Sequence, residues 1–461
     1  MRITTTATTT ILRRTTTITR HFFTLRTTPK PPPRPPSSSP PPLLYTHPTT
    51  TTTTATHLQL LSWGRGSSGQ LGLPIESTRL YPTPFASLLL PPFFRLAASS
   101  GRLPTDSTTA TIPSPPPSVG ISSGLFHSAV VVDGSVWVWG KGDGGRLGLG
   151  HENLEFGPKP NPFLEGVDML ALGGLHSVAL TSQGQIFSWG YGGFGALGHS
   201  VFTRELVPRM VEGPWSGKIN HIATSGTHTA AITDSGEVYT WGREEGDGRL
   251  GLGPGRGPDQ TGGLSTPDKV KALPVPVSAV ACGGFCTMAL TEQGQLWGWG
   301  ANSNYELGTG DKVGGWRPRQ IPSLENVRVL QVACGGYHSL ALTDDGKVLS
   351  WGHGGHGQLG HSSIQSQKVP TMIEALAEER IVSIACGGSS SAAVTDTGKL
   401  YMWGNAKDSQ LGVPGLPERQ STPIQVNFLS DDDGLGPHHV LSVAVGASHA
   451  ICLVSRSSSQ E

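Results

Sequence analysis

From residue 335 to 352 the chain reads Gly-Gly-Tyr-His-Ser-Leu-Ala-Leu-Thr-Asp-Asp-Gly-Lys-Val-Leu-Ser-Trp-Gly. An apolar run to about Thr343 gives way to Asp345-Gly346 and then to a second short run ending at Trp351, which predicts two antiparallel strands joined by a tight hairpin. The same turn returns as Asp133-Gly134, Gln183-Gly184, Ser235-Gly236, Gln293-Gly294 and Thr397-Gly398. Glycine there supplies the positive φ that a tight hairpin needs. Downstream of most hairpins a proline, at Pro158, Pro208, Pro267, Pro318, Pro370 and Pro423, introduces one more short segment. Proline suits an outer edge strand, which need not donate every ladder hydrogen bond.

The hairpins keep time. Trp-Gly occurs at Trp63, Trp139, Trp189, Trp241, Trp299, Trp351 and Trp403, at spacings of 76, 50, 52, 58, 52 and 52 residues. Each tryptophan is followed nine residues later by the glycine of a Leu-Gly pair, at Gly72, Gly148, Gly198, Gly308, Gly360 and Gly412; the Trp241 repeat reaches Gly251 in ten. Short strands at a period near 50 with glycine-rich turns predict four-stranded blades set radially about an axis, an all-β seven-bladed propeller. The two ends carry complementary halves of one repeat. Val440–Val454 holds Gly446-Ala447-Ser448-His449 without a Trp-Gly, while Leu58–Leu73 holds Trp63 and its Leu-Gly without the histidine half. Both termini are therefore expected to share one blade. The propeller is expected over residues 57–454, with insertions at 74–118 and 252–266, a leader at 1–56 and a loose tail at 455–461.

Composition adds a second layer. Gly 63, Pro 37 and only 14% charged residues suit many turns between half-buried strands rather than long helices. The 33 basic and 33 acidic side chains are unevenly placed, because the first acid is Glu76. Before Leu58 stand seven basic residues, Arg2, Arg13, Arg14, Arg20, Arg26, Lys30 and Arg34, leaving 26 basic against 33 acidic, a body near −7. Ile11, Ile18, Phe22 and Leu25 project to one side of a helix and Arg13 and Arg20 to the other, the pattern of a mitochondrial (matrix) targeting leader, with a chloroplast leader or a plain disordered tail as alternatives. No apolar run approaches a membrane span, so no membrane insertion is expected. A net acidic body argues against direct tracking of phosphates, so any contact with RNA is expected to be indirect. Five cysteines without a CxxC pair fit a reduced compartment without structural zinc.

The full pattern, G-G-x-H-[ST]-x-A-L-T-x-x-G-x-[LV]-x-x-W-G with a trailing L-G, resembles the regulator-of-chromosome-condensation repeat over about 58–454. Leader and propeller together resemble the plant mitochondrial member of that family. That resemblance implies a non-enzymatic scaffold or adaptor in organellar gene expression, supporting splicing of intron-containing transcripts for respiratory complex I, with other proteins such as splicing factors as partners. Other members imply the alternative, a guanine-nucleotide exchange factor acting on a small or organellar GTPase. The resemblance to the ultraviolet-B receptor stops at its tryptophans, since Leu175, Phe285 and Tyr337 lie where those would be.

Nothing in the sequence predicts bond-making chemistry. Gly140, Gly142, Gly145 and Gly190, Gly192, Gly195 match G-x-G-x-x-G but open no helix and are read as turn glycines. His127, His176, His228, His338 and His449 share one register in different blades, too far apart for one ion, and are expected to be buried and bonded to backbone. Cys286 and Ser390 take that register in the other two blades. No catalytic, cofactor-binding or metal residue is assigned, and a monomer is expected. Departures from the repeat are where binding is expected: the charged turn Arg243, Glu244, Glu245, Asp247 and Arg249, the added loop with Arg256, and the acidic run Asp431, Asp432 and Asp433. The seven tryptophans are assigned to the structure of the repeat.

Overall fold

The computed structural model describes residues 41–48, 55–74, 77–103, 116–254, 262–273, 276–429 and 435–458. Seven antiparallel sheets make seven blades. Blade 5 shows the plan: Val329–Cys334, His338–Thr343, Val348–Gly352 and Gln367–Met372 pair in that order. The innermost strands, Ser118–Ser123 in blade 1, Val167–Leu172 in 2, Ile219–Thr224 in 3, Val277–Cys282 in 4, Val329–Cys334 in 5, Ile381–Cys386 in 6 and Leu435–Val445 in 7, surround a central channel. Each runs up to the turn that is Gly-Gly in blades 2, 4, 5 and 6 and Gly124-Leu125, Ser225-Gly226 and Gly446-Ala447 in blades 1, 3 and 7, and each third strand ends at its Trp-Gly on the same side. One face of the ring is therefore made of Gly-Gly and Trp-Gly turns, and the opposite face of hairpin turns.

The expected turn chemistry is present. Gly134, Gly184, Gly236, Gly294, Gly346 and Gly398 all have φ between 77° and 83°. The prolines lie on the outermost strands, as in Glu205–Met210, where pairing slips between Ser188 and Gly190 around Pro208. A bulged, proline-bearing edge is a poor template for a further strand.

Blade 7 closes the ring from both termini. His449–Ser458 pairs on one side with Leu435–Val445 and on the other with Thr56–Gly64, with His449 opposite Gly64. The outer strand of this blade is Arg79–Leu90, against which Leu43–Thr46 adds in parallel. The boundaries therefore differ from those read in the sequence. Residues 79–90 are blade rather than excursion, because their Pro82 and Pro84 serve as the outer-strand prolines of blade 7. The 43–46 stretch of the leader is a strand on the sheet's outer edge, and residues 455–458 of the tail continue His449–Ser458 between its two neighbours. In blade 3 the added loop ends by Gly263, where the outer strand Gly263–Lys269 begins.

The core is divided rather than continuous. Seven hydrophobic clusters each join two adjacent blades and each contains one repeat tryptophan, such as Trp351 among Leu290, Leu296 and Val332 between blades 4 and 5. All seven tryptophans have no exposed surface. Their indoles explain the Leu-Gly signature, because each rests on the glycine of the preceding blade. A Cβ on Gly308 would lie 2.9 Å from Trp351, and Gly308 holds φ at 68°, so any larger residue is strained twice over.

Candidate protein-docking face

Hydrogen bonds across the seams dispose of most repeat positions. The Trp189 indole N–H donates to the Arg146 carbonyl of blade 1 at 2.9 Å, and Trp63, Trp139, Trp241, Trp351 and Trp403 make the equivalent bond at 2.8 to 3.0 Å. Ser177 Oγ donates to that same Arg146 carbonyl at 2.8 Å, and His127 Nε2 lies 2.9 Å from the hydroxyl. The hydroxyl hydrogen is spent on the carbonyl, so the imidazole donates through Nε2. His176 with Thr229, His228 with Thr287, His338 with Ser391 and His449 with Ser128 repeat the link at 2.8 to 2.9 Å. The expected partner was backbone. The structure substitutes the next blade's hydroxyl, which passes the bond on to a carbonyl, so these histidines tie blades together rather than satisfying themselves locally. Burial holds His176 down at about 4 and His338 and His449 at about 3, and drives His127 and His228 well below the ordinary histidine value. All are neutral near pH 7. Among the described residues no cluster of His, Cys, Asp or Glu is arranged to hold a metal ion.

The charged turn of blade 3 divides in two. Glu244 is buried: its Oε1 accepts from the amides of Gly246 and Gly248 at 3.1 and 2.9 Å, and its Oε2 from Leu250 at 3.2 Å. Burial raises its carboxyl above the ordinary value against the pull of the Gly248 and Leu250 amides. Arg249, only 2% exposed, is held through Nε by Asp247 at 2.9 Å and through Nη1 by Thr227 at 3.0 Å. These three build the turn. Its extra residue has a local consequence, since the buried Trp299 indole N–H, which the repeat would bond to the Arg249 carbonyl, has no acceptor. Arg243 and Glu245 form an ion pair and remain open to solvent on the Gly-Gly face. Arg256, Asp431, Asp432 and Asp433 lie outside the described residues.

Arg243 leads to a feature that the sequence reading passed over. Its guanidinium sits 4.6 Å from the Phe194 ring centre; Lys141 lies 5.8 Å from Phe126, Arg249 5.0 Å from Phe285, and Lys312 and Lys368 4.9 and 5.9 Å from Tyr305. Phe285 stacks on Tyr337 at 5.0 Å, and Tyr191 meets Phe194 edge-on at 5.3 Å. These groups lie in Gly-Gly or Trp-Gly turns of blades 1 to 5, except Lys312, in the loop before the outer strand of blade 4, and Lys368, in the outer strand of blade 5. Phe126, Tyr191 and Tyr337 are 36, 39 and 42% exposed, and Val313 and Ile364 on neighbouring loops are exposed too. At the positions equivalent to Tyr337, blades 6 and 7 carry Ser389 and Ser448. The available signal was the x of G-G-x-H, where aromatic residues occupy a turn that packing does not require to be apolar. The arc rims a funnel of about 450 Å³ over the channel, floored by Ala98, Ser99 and Ser100.

Four cations of this face are matched by acids, Lys141 with Asp143 at 2.8 Å, Arg204 with Glu152 at 2.9 Å, Arg243 with Glu245, and Arg249 with Asp247, while Lys312 and Lys368 lie over Tyr305. The face is therefore amphipathic, with most of its positive charge offset by neighbouring acids. That is the make-up of a protein interface, where exposed aromatics and arginines concentrate binding energy, rather than of a phosphate-tracking surface.

A family model described as RCC1-like domain matches residues 56–452. The chain is 67% identical over 404 residues to the RCC1 domain-containing protein RUG3, mitochondrial, of Arabidopsis thaliana, covering 87% of this chain and 89% of that protein. It is 34% identical over 343 residues to the ultraviolet-B receptor UVR8 of the same plant, 73% of this chain and 74% of the receptor. Among solved structures, Prp20p of Saccharomyces cerevisiae, described with its binding to Gsp1p and histones, superimposes with a TM-score of 0.70 at 22% identity, over 88% of this chain and 93% of that one. The last likeness carries the fold alone.

Proposed function

The chain belongs to the RCC1-like propeller family, and from that premise we propose that it is a mitochondrial scaffold that docks protein partners on the Gly-Gly face of blades 1 to 5. The observation that carries this reading is the aromatic and cationic arc: before the histidine register blades 1, 4 and 5 present Phe126, Phe285 and Tyr337 and blade 2 Leu175, where blades 3, 6 and 7 carry Thr227, Ser389 and Ser448. Arg243 and Glu245 lie within the arc and are assigned as contact residues, while Glu244, Asp247 and Arg249 hold the turn that presents them. The kinship with a plant protein named mitochondrial and the acid-free leader support import into the organelle. No helix among the described residues is long and apolar enough to cross a membrane.

Within the organelle we assign the scaffold to transcript processing, supporting removal of introns from transcripts for respiratory complex I, with protein partners making most of the RNA contact. The near −7 body and the acid-matched cations of the face support that division of labour. Affinity capture from isolated mitochondria, read by mass spectrometry and RNA sequencing, should recover splicing proteins together with intron-bearing transcripts. Normal removal of every mitochondrial intron in plants lacking the protein would defeat the splicing assignment. Accelerated nucleotide release from an organellar GTPase by the purified chain would replace the scaffold with an exchange factor.

A further inference from the structure

The channel is not empty. Residues 95–103 enter it from the hairpin-turn face, climb beside the innermost strand of blade 1 with Arg95 opposite Ser118, turn at Ser99–Arg102, and descend beside blade 5 with Arg102 opposite Gln331. On the way the backbone pairs with one innermost strand after another. The Ala97 amide donates to the Val119 carbonyl at 2.8 Å, Gly101 to Val280 at 2.8 Å, Leu103 to Leu330 at 3.0 Å, and Val332 donates back to the Gly101 carbonyl at 2.8 Å. Ser100 Oγ donates to the Ile222 carbonyl at 3.1 Å, and Arg95 forms an ion pair with Asp168 of blade 2. One short finger thus bonds to five blades. An innermost strand offers its channel-side amides and carbonyls to whatever enters, which is how an extended peptide is recognised by strand addition.

The finger's tip concentrates on blades 3, 4 and 5, where each seam keeps one of its two side-chain links, His228 to Thr287 between blades 3 and 4 and Trp351 to the Glu306 carbonyl between blades 4 and 5, and lacks the other. Between blades 3 and 4 the Trp299 indole has no acceptor. Between 4 and 5 the linking histidine is replaced by Cys286, and Ser339, the hydroxyl that would receive it, donates instead to Cys334 Sγ at 3.8 Å. Gly101 sits between those blades at φ 73°, where a Cβ would lie 1.9 Å from the Val332 carbonyl oxygen. No other residue type fits there.

We propose that the channel is a peptide-binding site, specific for an extended segment that turns on a glycine, and that residues 95–103 occupy it as a ligand in cis, clamping blades 3, 4 and 5 together. The finger's tip, Ala98 to Ser100, floors the funnel of the Gly-Gly face, but the proposal rests on the bonds the finger makes within the channel and not on what docks above it.

Hydrogen exchange on the full chain carrying Gly101→Val tests it. The Val332 and Leu103 amides should exchange at least tenfold faster than in the unaltered chain, trypsin should cut after Arg102, and a synthetic peptide of residues 91–103 added in excess should restore protection at Val332. Undiminished protection of Val332 in the variant, or failure of the peptide to restore it, overturns the proposal. Should the variant not fold, the unaltered chain decides: Leu103 exchanging in step with Val332 upholds the clamp, and Leu103 exchanging at the rate of a free peptide overturns it.

Discussion

Blade 5 contains both kinds of position that this molecule uses, fourteen residues apart. Trp351 is wholly buried, rests on Gly308 of blade 4 and bonds to the Glu306 carbonyl; everything about it is explained by the neighbouring blade. Tyr337 is 42% exposed, stacks on Phe285 of blade 4, and would cost the ring little if it were serine, as Ser389 at the same place in blade 6 demonstrates. Where the repeat is kept, side chains build the ring. Where an exposed aromatic replaces a residue the ring does not need, something other than folding accounts for it.

The comparison can be broken most severely at the closure. Ending the chain after Asp433 removes the two inner strands of blade 7, leaving Thr56–Gly64 paired only with Arg79–Leu90, and uncovers two core clusters. We expect loss of the cooperative thermal transition of the whole propeller, because an unclosed ring leaves hydrophobic blade faces in water; a native-like melt by circular dichroism would show that closure is dispensable. Next comes Trp351→Ala, which empties the seam between blades 4 and 5. It should cost about 4 kcal/mol in chemical denaturation, in the range for large aromatic deletions from a core, and a loss below about 1 kcal/mol would mean that the seam repacks freely.

Acid probes the histidine links. Their folded values lie below the unfolded value of about 6.5, so the unfolded chain binds more protons below that pH. Their stabilisation is complete above about pH 6.5 and is lost progressively as the pH falls toward about 4 for His176 and about 3 for His338 and His449. Each link titrating in this window should remove about 1.4 kcal/mol per pH unit. His338→Gln should flatten that slope in a denaturation series from pH 7 to 4.5, and an unchanged slope would remove His338 from the titrating set. The smallest effect on stability belongs to the face: Phe126→Ser and Tyr337→Ser should each shift it by about 0.5 kcal/mol or less, as surface changes usually do.

How much of this was legible follows the same division. The ring could be read directly, because Trp-Gly and Leu-Gly are demanded by a contact that recurs seven times and the hairpin glycines by a turn that recurs six times, and the split of one repeat between the termini announced the closing blade. The outer strand Arg79–Leu90 was hidden because blade 7 starts its repeat count at the chain's beginning, so its prolines had no preceding hairpin to mark them. The finger was hidden for a different reason. Most of its hydrogen bonds are made by backbone, which any sequence can supply, and its residue-specific contacts, at Arg95, Ser100 and Gly101, follow no repeat that would mark them. The charged turn of blade 3 was found by its extra residue, yet charge alone did not separate Glu244 and Arg249, which face inward, from Arg243 and Glu245, which do not. The aromatic arc required knowing that turns far apart in sequence share one face.

The most direct measurement compares two variants of equal thermal stability in a plant lacking the native protein: Phe126→Ser with Tyr337→Ser on the docking face, and Ser389→Ala on blade 6. Intron removal from mitochondrial transcripts, with partner capture from the same organelles, should fail in the first and persist in the second. Full splicing and unchanged capture with the doubly altered face would contradict the assignment of that face to partner binding.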